Sequence, residues 1–116
     1  MYIFDGAMGT MLQAAGLEEG YCPELFNVER PEVVKNIHAQ YLQHGSDFIT
    51  TNTFGACGLK LEDYDLQDRV REINIAAVKV AKELFSTFQN AHLEKYCHHC
   101  YPSKVGYLFV QRQSVP

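Results

Sequence analysis

Residues 47–53 read DFITTNT, a β-branched and aromatic run whose polar members gather at its C-terminal end. Such side chains fit a pleated, half-buried backbone, so the run predicts a strand. Upstream, Pro31 suits the first turn of a helix, where its missing N–H costs nothing. Val33, Val34, Ile37, Tyr41 and Leu42 then mark one helical face that stops near Gly45. Downstream, past a loop with Gly55 and Gly58, residues 66–85 space Val70, Ile73, Ala77, Val80, Ala81 and Leu84 in steps of three and four. That is the clearest helical period in the chain.

Nearer the start, residues 2–4 form a short apolar run closed by Asp5 and Gly6, which predicts a first buried strand ending in a turn. Residues 9–15 are good helix formers with Gly16 as a C-cap, and a loop through Gly20 and Pro23 follows. The order strand, helix, strand, helix, with connections long enough for crossovers, predicts an α/β fold of parallel, right-handed βα units. Two parallel strands leave both edges open. Either a further strand lies in the tail, where residues 105–110 are the one apolar run, or the chain is cut from something larger.

A hydrophobic content of 47% in 116 residues suits one modest core, hence a single globular unit. The formal charge of -4 comes from acids and bases mixed along the chain, with no Lys/Arg block to neutralise phosphates, so nucleic acid is not an expected partner. The start carries no basic and apolar secretory signal, and no apolar run approaches the roughly 18 residues of a membrane helix. A cytoplasmic protein with no membrane partner is expected. Cys22, Cys57, Cys97 and Cys100 are then read as thiols or metal ligands rather than a disulfide frame.

Two stretches can carry chemistry. DGAMGT, residues 5–10, sits where the first strand ends and a helix begins: the Asp5 carboxylate can pair with an ammonium group, and the turn N–H groups around Ala7 and Met8 can hold a carboxylate. Together they match an amino-acid zwitterion, although an ordinary Asp-Gly turn explains the same residues. With only Gly6 and Gly9 it is no dinucleotide fingerprint. TTNTFGA, residues 50–56, crowds polar groups at the C-terminal end of the second strand, where parallel α/β folds bind ligands. This makes Asn52 and Thr53 neighbours of Asp5, unless they simply cap a strand end.

DGAMGTMLQ (residues 5–13), YCPELFN (21–27), RPEVVKNIHAQYL (30–42), GSDFITTNTFGA (45–56) and DRVREINIAAVKVA (68–81) stand in this order, with family-like spacing. Over residues 2–85 the chain thus resembles the homocysteine S-methyltransferase family, and within it the N-terminal module of the cobalamin-dependent branch. The resemblance implies the N-terminal part of a (β/α)8 TIM barrel, its first two βα units, in residues 1–85, with residues 86–116 a divergent tail. It implies homocysteine at the C-terminal mouth with its thiol on zinc, which would strip the proton from a thiol of pKa about 8.5. Methylcobalamin, charged from methyltetrahydrofolate on cobalamin and folate domains elsewhere, is the implied methyl donor. By position, Asp5 would hold the substrate amino group and the backbone of Gly6, Ala7 and Met8 its carboxylate. Asn52 and Thr53 would line the mouth, while Tyr21 and Glu24 lie close by with no step assigned.

The three cysteines that hold zinc in the family come from later segments absent here, so no metal ligand follows from the resemblance; Cys22 and Cys57 do not match them. The tail instead offers Cys97, His98, His99 and Cys100 as CHHC, a Cys-x-x-Cys spacing that can grip zinc, though adjacent residues rarely all aim at one ion. Besides an enzyme fragment inactive by itself, the sequence leaves open a small stand-alone protein using CHHC for metal or partner binding, or a truncated product.

Overall fold

The computed structural model describes residues 3–87, with backbone alone at 85–87, and the backbone of residues 91–92 and 109–112. Among the described residues, the first apolar run, expected to be a strand at residues 2–4, meets the DFITTNT segment through a parallel bridge, Phe4 to Phe48, and Tyr2 lies outside the described residues. Ile3 O accepts the N–H of Asp47 at 2.7 Å, and Asp5 N donates to Phe48 O at 3.1 Å. Helix α1, Gly9–Ala14, follows, and the chain leaves it through Gly16 at φ +103°, a left-handed cap that glycine adopts freely. The loop beyond is more ordered than expected: a 3-10 turn, Pro23–Leu25, runs into the short α2, Phe26–Glu29.

Helix α3, Pro31–Gln43, begins and ends as the sequence predicts, closing at Gly45 with φ +103°. Strand β1, Phe48–Thr50, is shorter than residues 47–53, because the chain bends away into the polar loop once past Thr50. Two unexpected short elements follow, α4 at Gly58–Leu61 and a 3-10 turn at Glu62–Tyr64. Helix α5, Val70–Thr87, is led in by a 3-10 turn at Gln67–Arg69 and so starts four residues later than expected.

The tail supplies β2, Ala91–His92, and β3, Phe109–Arg112, giving a sheet ordered β1-β3-β2. The tail strand lies slightly beyond the predicted residues 105–110, and both of its pairings are antiparallel, Ile49 standing opposite Val110. The chain is therefore α/β, and among the described residues parallel pairing is confined to the Phe4–Phe48 bridge and the closed barrel is not displayed. None of the described helices is long and apolar enough to cross a membrane.

Alternation along β1 sends Ile49 and Phe48 to opposite faces. Ile49, fully buried, packs with Leu42, Ala81 and Leu84 under α3 and α5, while Phe48 stacks on Phe4 with ring centroids 4.6 Å apart. Leu12, Phe26, Val34, Ile37 and Val80 form a second cluster; Cys22, Leu25, Ala56, Leu61 and Ile73 form a third. Each draws on α5, which is the spine of the molecule. Its 3.6-residue period places Ile73, Ala77, Val80, Ala81 and Leu84 on one buried face.

One residue on the buried stripe of α3 is out of keeping. His38 lies one helical turn from both Val34 and Leu42, is fully buried, and neither ring nitrogen has a hydrogen-bond partner among the described residues. Burial drives its pKa from 6.5 down to about 4, so it is held as neutral imidazole. A depressed pKa contributes stability that is whole above about pH 6.5 and is lost as the pH falls toward 4. Urea unfolding of His38→Leu should lack a pH-dependent loss, on the order of 3 kcal/mol, that the parent chain shows across this window. Parallel pH profiles for the two proteins would show that His38 is not the group responsible.

Candidate functional site

Asp5 leaves the parallel bridge with its carboxylate turned to the end of β1. Oδ2 accepts the backbone N–H of Thr50 and Oδ1 accepts the Thr50 hydroxyl, both at 2.9 Å. Burial raises its pKa above the usual carboxylate value, and the bonds from Thr50 oppose that rise. The half-buried carboxylate is thus oriented by the strand, and its remaining lone pairs can accept further donors.

The turn after Asp5 rests on α3. Tyr41 donates its hydroxyl to Ala7 O at 2.8 Å, and a Cβ at Gly6 would come within 2.9 Å of that same hydroxyl oxygen. Gly6 is therefore required by close approach. Tyr41 has a raised pKa from burial and the nearby Asp5, so it remains a neutral phenol donor. Among the described residues, no acceptor meets the backbone N–H groups of Gly6, Ala7 or Met8.

Across from the turn, the segment following β1 is held by the 23–27 segment. Asn52 Nδ2 donates to Pro23 O at 3.0 Å and to Asn27 Oδ1 at 3.1 Å, while Asn27 Nδ2 donates to Asn52 O at 2.8 Å. The hydroxyls of Thr51 and Thr53 lie 2.9 Å apart, and Thr53 N donates to Thr51 O at 2.8 Å. Glu24, buried, accepts Gly55 N–H on Oε1 at 2.8 Å.

Between turn and loop lies a cavity of about 440 Å³ lined by Asp5, Gly6, Ala7, Met8, Gly9, Pro23, Glu24, Thr50, Thr51, Asn52, Thr53 and Phe54. It brings together all six residues that the sequence singled out: Asp5, Gly6, Ala7, Met8, Asn52 and Thr53. Its walls carry no Lys or Arg, a setting that favours a cationic group beside the Asp5 carboxylate, whereas both Glu24 oxygens are taken up by Gly55 N–H and the Cys22 thiol. Asn52 serves the loop more than the space, since both hydrogens of its side-chain amide go to Asn27 and Pro23.

Two supporting residues, Tyr41 and Asn27, escape a reading of the sequence, while Thr50 and Glu24 fall in stretches that it places near the mouth without giving either a role. Tyr41 reads as one more member of an apolar stripe, and Asn27 as a loop residue. Only Glu24, an acid bordered by Pro23 and the apolar Leu25 and Phe26, carries a local hint.

The described residues do not suit a zinc ion. Among them no three His, Cys, Asp or Glu side chains converge as a metal site would need. Cys22 is buried with its thiol 3.4 Å from Glu24 Oε2, and burial pushes its pKa up to about 11, away from the thiolate a metal binds. Cys57 is half-buried, with a free thiol. The CHHC residues Cys97, His98, His99 and Cys100 lie outside the described residues.

The model of one protein family, described as homocysteine S-methyltransferase, matches residues 2–107. Methionine synthase of Mycobacterium tuberculosis (strain ATCC 25618 / H37Rv) is 38% identical over 99 residues, covering 79% of this chain. Methionine synthase of Mycobacterium leprae (strain TN) is 43% identical over 91 residues, covering 69%. The chain spans about 8% of the length of each of these relatives.

The two glycines of the turn make opposite forecasts. Gly6→Ala forces a methyl against the Tyr41 ring and should cost roughly 1–3 kcal/mol. Gly9 is first in α1, and a methyl placed there would meet nothing within 4 Å, so it should accept Ala at no cost or with a gain of up to about 1 kcal/mol. Urea midpoints of the two variants measure this, and equal midpoints would show that Tyr41 does not support the turn.

Proposed function

The chain belongs to the homocysteine S-methyltransferase family, and from that premise we propose that its cavity seats the amino-acid end of homocysteine for methyl transfer to the sulfur, the product being methionine. The observation that carries this reading is the pairing, in one cavity, of an oriented carboxylate with a turn whose N–H groups have no acceptor among the described residues. Asp5 takes the substrate ammonium, and the backbone of Gly6, Ala7 and Met8 faces its carboxylate. Asn52 and Thr53 line the mouth and keep its wall in place.

In this reading residues 1–85 are the first two βα units of a (β/α)8 barrel, and residues 86–116 are a tail set apart from it. The parallel Phe4–Phe48 bridge, with a helix after each strand position, supports the first part; the antiparallel β3 supports the second. The family match itself continues to residue 107. A stand-alone binding protein built on residues 97–100 is the less favoured reading, since that match spans most of the chain.

Zinc, which the family resemblance implies, does not fit the donors described here, so the chain's own part ends at binding and orienting the substrate. Activation of the thiol and delivery of the methyl group, from methylcobalamin, fall to the remaining barrel and to cobalamin and folate domains. The small share of each relative that the chain spans supports such further domains. A cytoplasmic setting agrees with the free thiols of Cys22 and Cys57.

Calorimetric titration of the chain with L-homocysteine tests the seat. Asp5→Asn should weaken binding by roughly ten- to a hundredfold, on the order of 1.5–3 kcal/mol for a charge-assisted bond. Thr50→Val, which deletes the hydroxyl bond to Asp5 and keeps the carboxylate's charge, should weaken it far less. Protonated Asp5 cannot pair with ammonium, so affinity should also fall as the pH drops through its raised pKa, and Asp5→Asn should lose that dependence. Unchanged affinity in Asp5→Asn, with the same pH profile, would remove Asp5 from the seat.

A further inference from the structure

Glu24 is a buried acid with no part in the seat as proposed above. Its residue is only 6% exposed, it lies on the 3-10 turn Pro23–Leu25, and it reaches the cavity wall from outside the strand-end segments that form the rest of it. A carboxylate so placed must be matched by donors. Among the described residues it finds two, the backbone N–H of Gly55 at 2.8 Å on Oε1 and the Cys22 thiol at 3.4 Å on Oε2.

The Gly55 contact is specific on both sides. A Cβ on residue 55 would come 2.9 Å from Oε1 and 3.3 Å from the carboxyl carbon, so a larger residue there would have to push the acid aside. Gly55 follows directly on Asn52, Thr53 and Phe54, which line the cavity, and its N–H lies beyond the last residue of β1. The sheet therefore cannot hold this part of the loop, and a side chain 31 residues earlier does so.

We infer that Glu24 is a positioning residue of the homocysteine seat: through Gly55 it holds the loop of residues 51–55 in the conformation that forms the cavity wall. This rests on the substrate reading above and adds to it a residue that acts without touching the substrate. What the role needs is an acceptor for Gly55 N–H, not a negative charge. Gln supplies that acceptor, and its amide hydrogens can face the Cys22 sulfur, a weak acceptor. Ala supplies nothing and leaves a part-buried N–H without its acceptor.

The experiment compares the parent chain with Glu24→Gln and Glu24→Ala by two measurements: amide hydrogen exchange at Gly55, and titration with L-homocysteine, with circular dichroism melts to follow the fold. For Glu24→Ala, exchange at Gly55 should quicken and homocysteine affinity fall, each by roughly tenfold or more. For Glu24→Gln, both should stay within about threefold of the parent. A Gln variant that keeps slow exchange but binds as poorly as Ala would overturn the inference, because Glu24 would then act by its charge on the ligand. An Ala variant with parental exchange and affinity would overturn it as well. If Ala fails to fold, Gln alone decides, since loss of protection at Gly55 in a folded Gln variant is incompatible with the role. Should the parent chain bind no homocysteine, the substrate reading falls and exchange at Gly55 still decides whether Glu24 holds the loop.

Discussion

Asn27 and Asn52 share a mutual amide contact inside the protein, each donating from Nδ2, one to a backbone carbonyl and the other to a side-chain oxygen. Both residues are almost fully buried. Backbone groups removed from water need partners, and a strand that ends at Thr50 offers its loop no further ladder. The 23–27 segment therefore stands in for the sheet: Asn27 takes up Asn52 O, Pro23 O takes up the Asn52 amide, and Glu24 takes up Gly55 N–H. Losing either asparagine would strand a buried amide at roughly 1–3 kcal/mol, a sizeable part of the stability of so small a domain.

With that clamp in place the hydrophobic clusters fall into order. The residues flanking the clamp, Cys22, Leu25 and Phe26, are themselves core residues, packing against Ile73 and Val80 of α5. Polar satisfaction and apolar burial thus act through the same short segment. The loop is attached to the spine helix through that segment and through Ala56, which packs with Ile73 in the third cluster, while Phe54 at its tip is exposed.

The cavity inherits a division of labour. Asp5, the turn at Gly6, Ala7 and Met8, and the hydroxyl-rich loop face the space; Tyr41, Asn27 and Glu24 keep those elements where they are. The supporting groups hold backbone directly, at 2.8 Å from Tyr41 to Ala7 O and from Gly55 N to Glu24. A pocket held in this way is organised before its ligand arrives, so less of the binding free energy is spent on ordering it.

From sequence alone the helix of Pro31–Gln43 was legible to the residue, because proline at its first turn and glycine after its last are local signals that need no partner. The sequence singles out six of the twelve residues that line the cavity, since polar groups at the end of an apolar run mark a strand terminus wherever it packs. The α/β class followed from the alternation of the periods. Strand lengths did not, nor the antiparallel sense of the tail strand. A strand exists only where a neighbour accepts its hydrogen bonds, and that neighbour, β3, stands about 60 residues further along in the register of Ile49 with Val110. The supporting roles of Tyr41, Asn27 and Glu24 stayed hidden for the same reason. Each acts across a contact between segments distant in the chain, and only folding decides that a stripe tyrosine lies beneath a glycine turn, or that a buried acid meets a backbone N–H beyond the reach of the sheet.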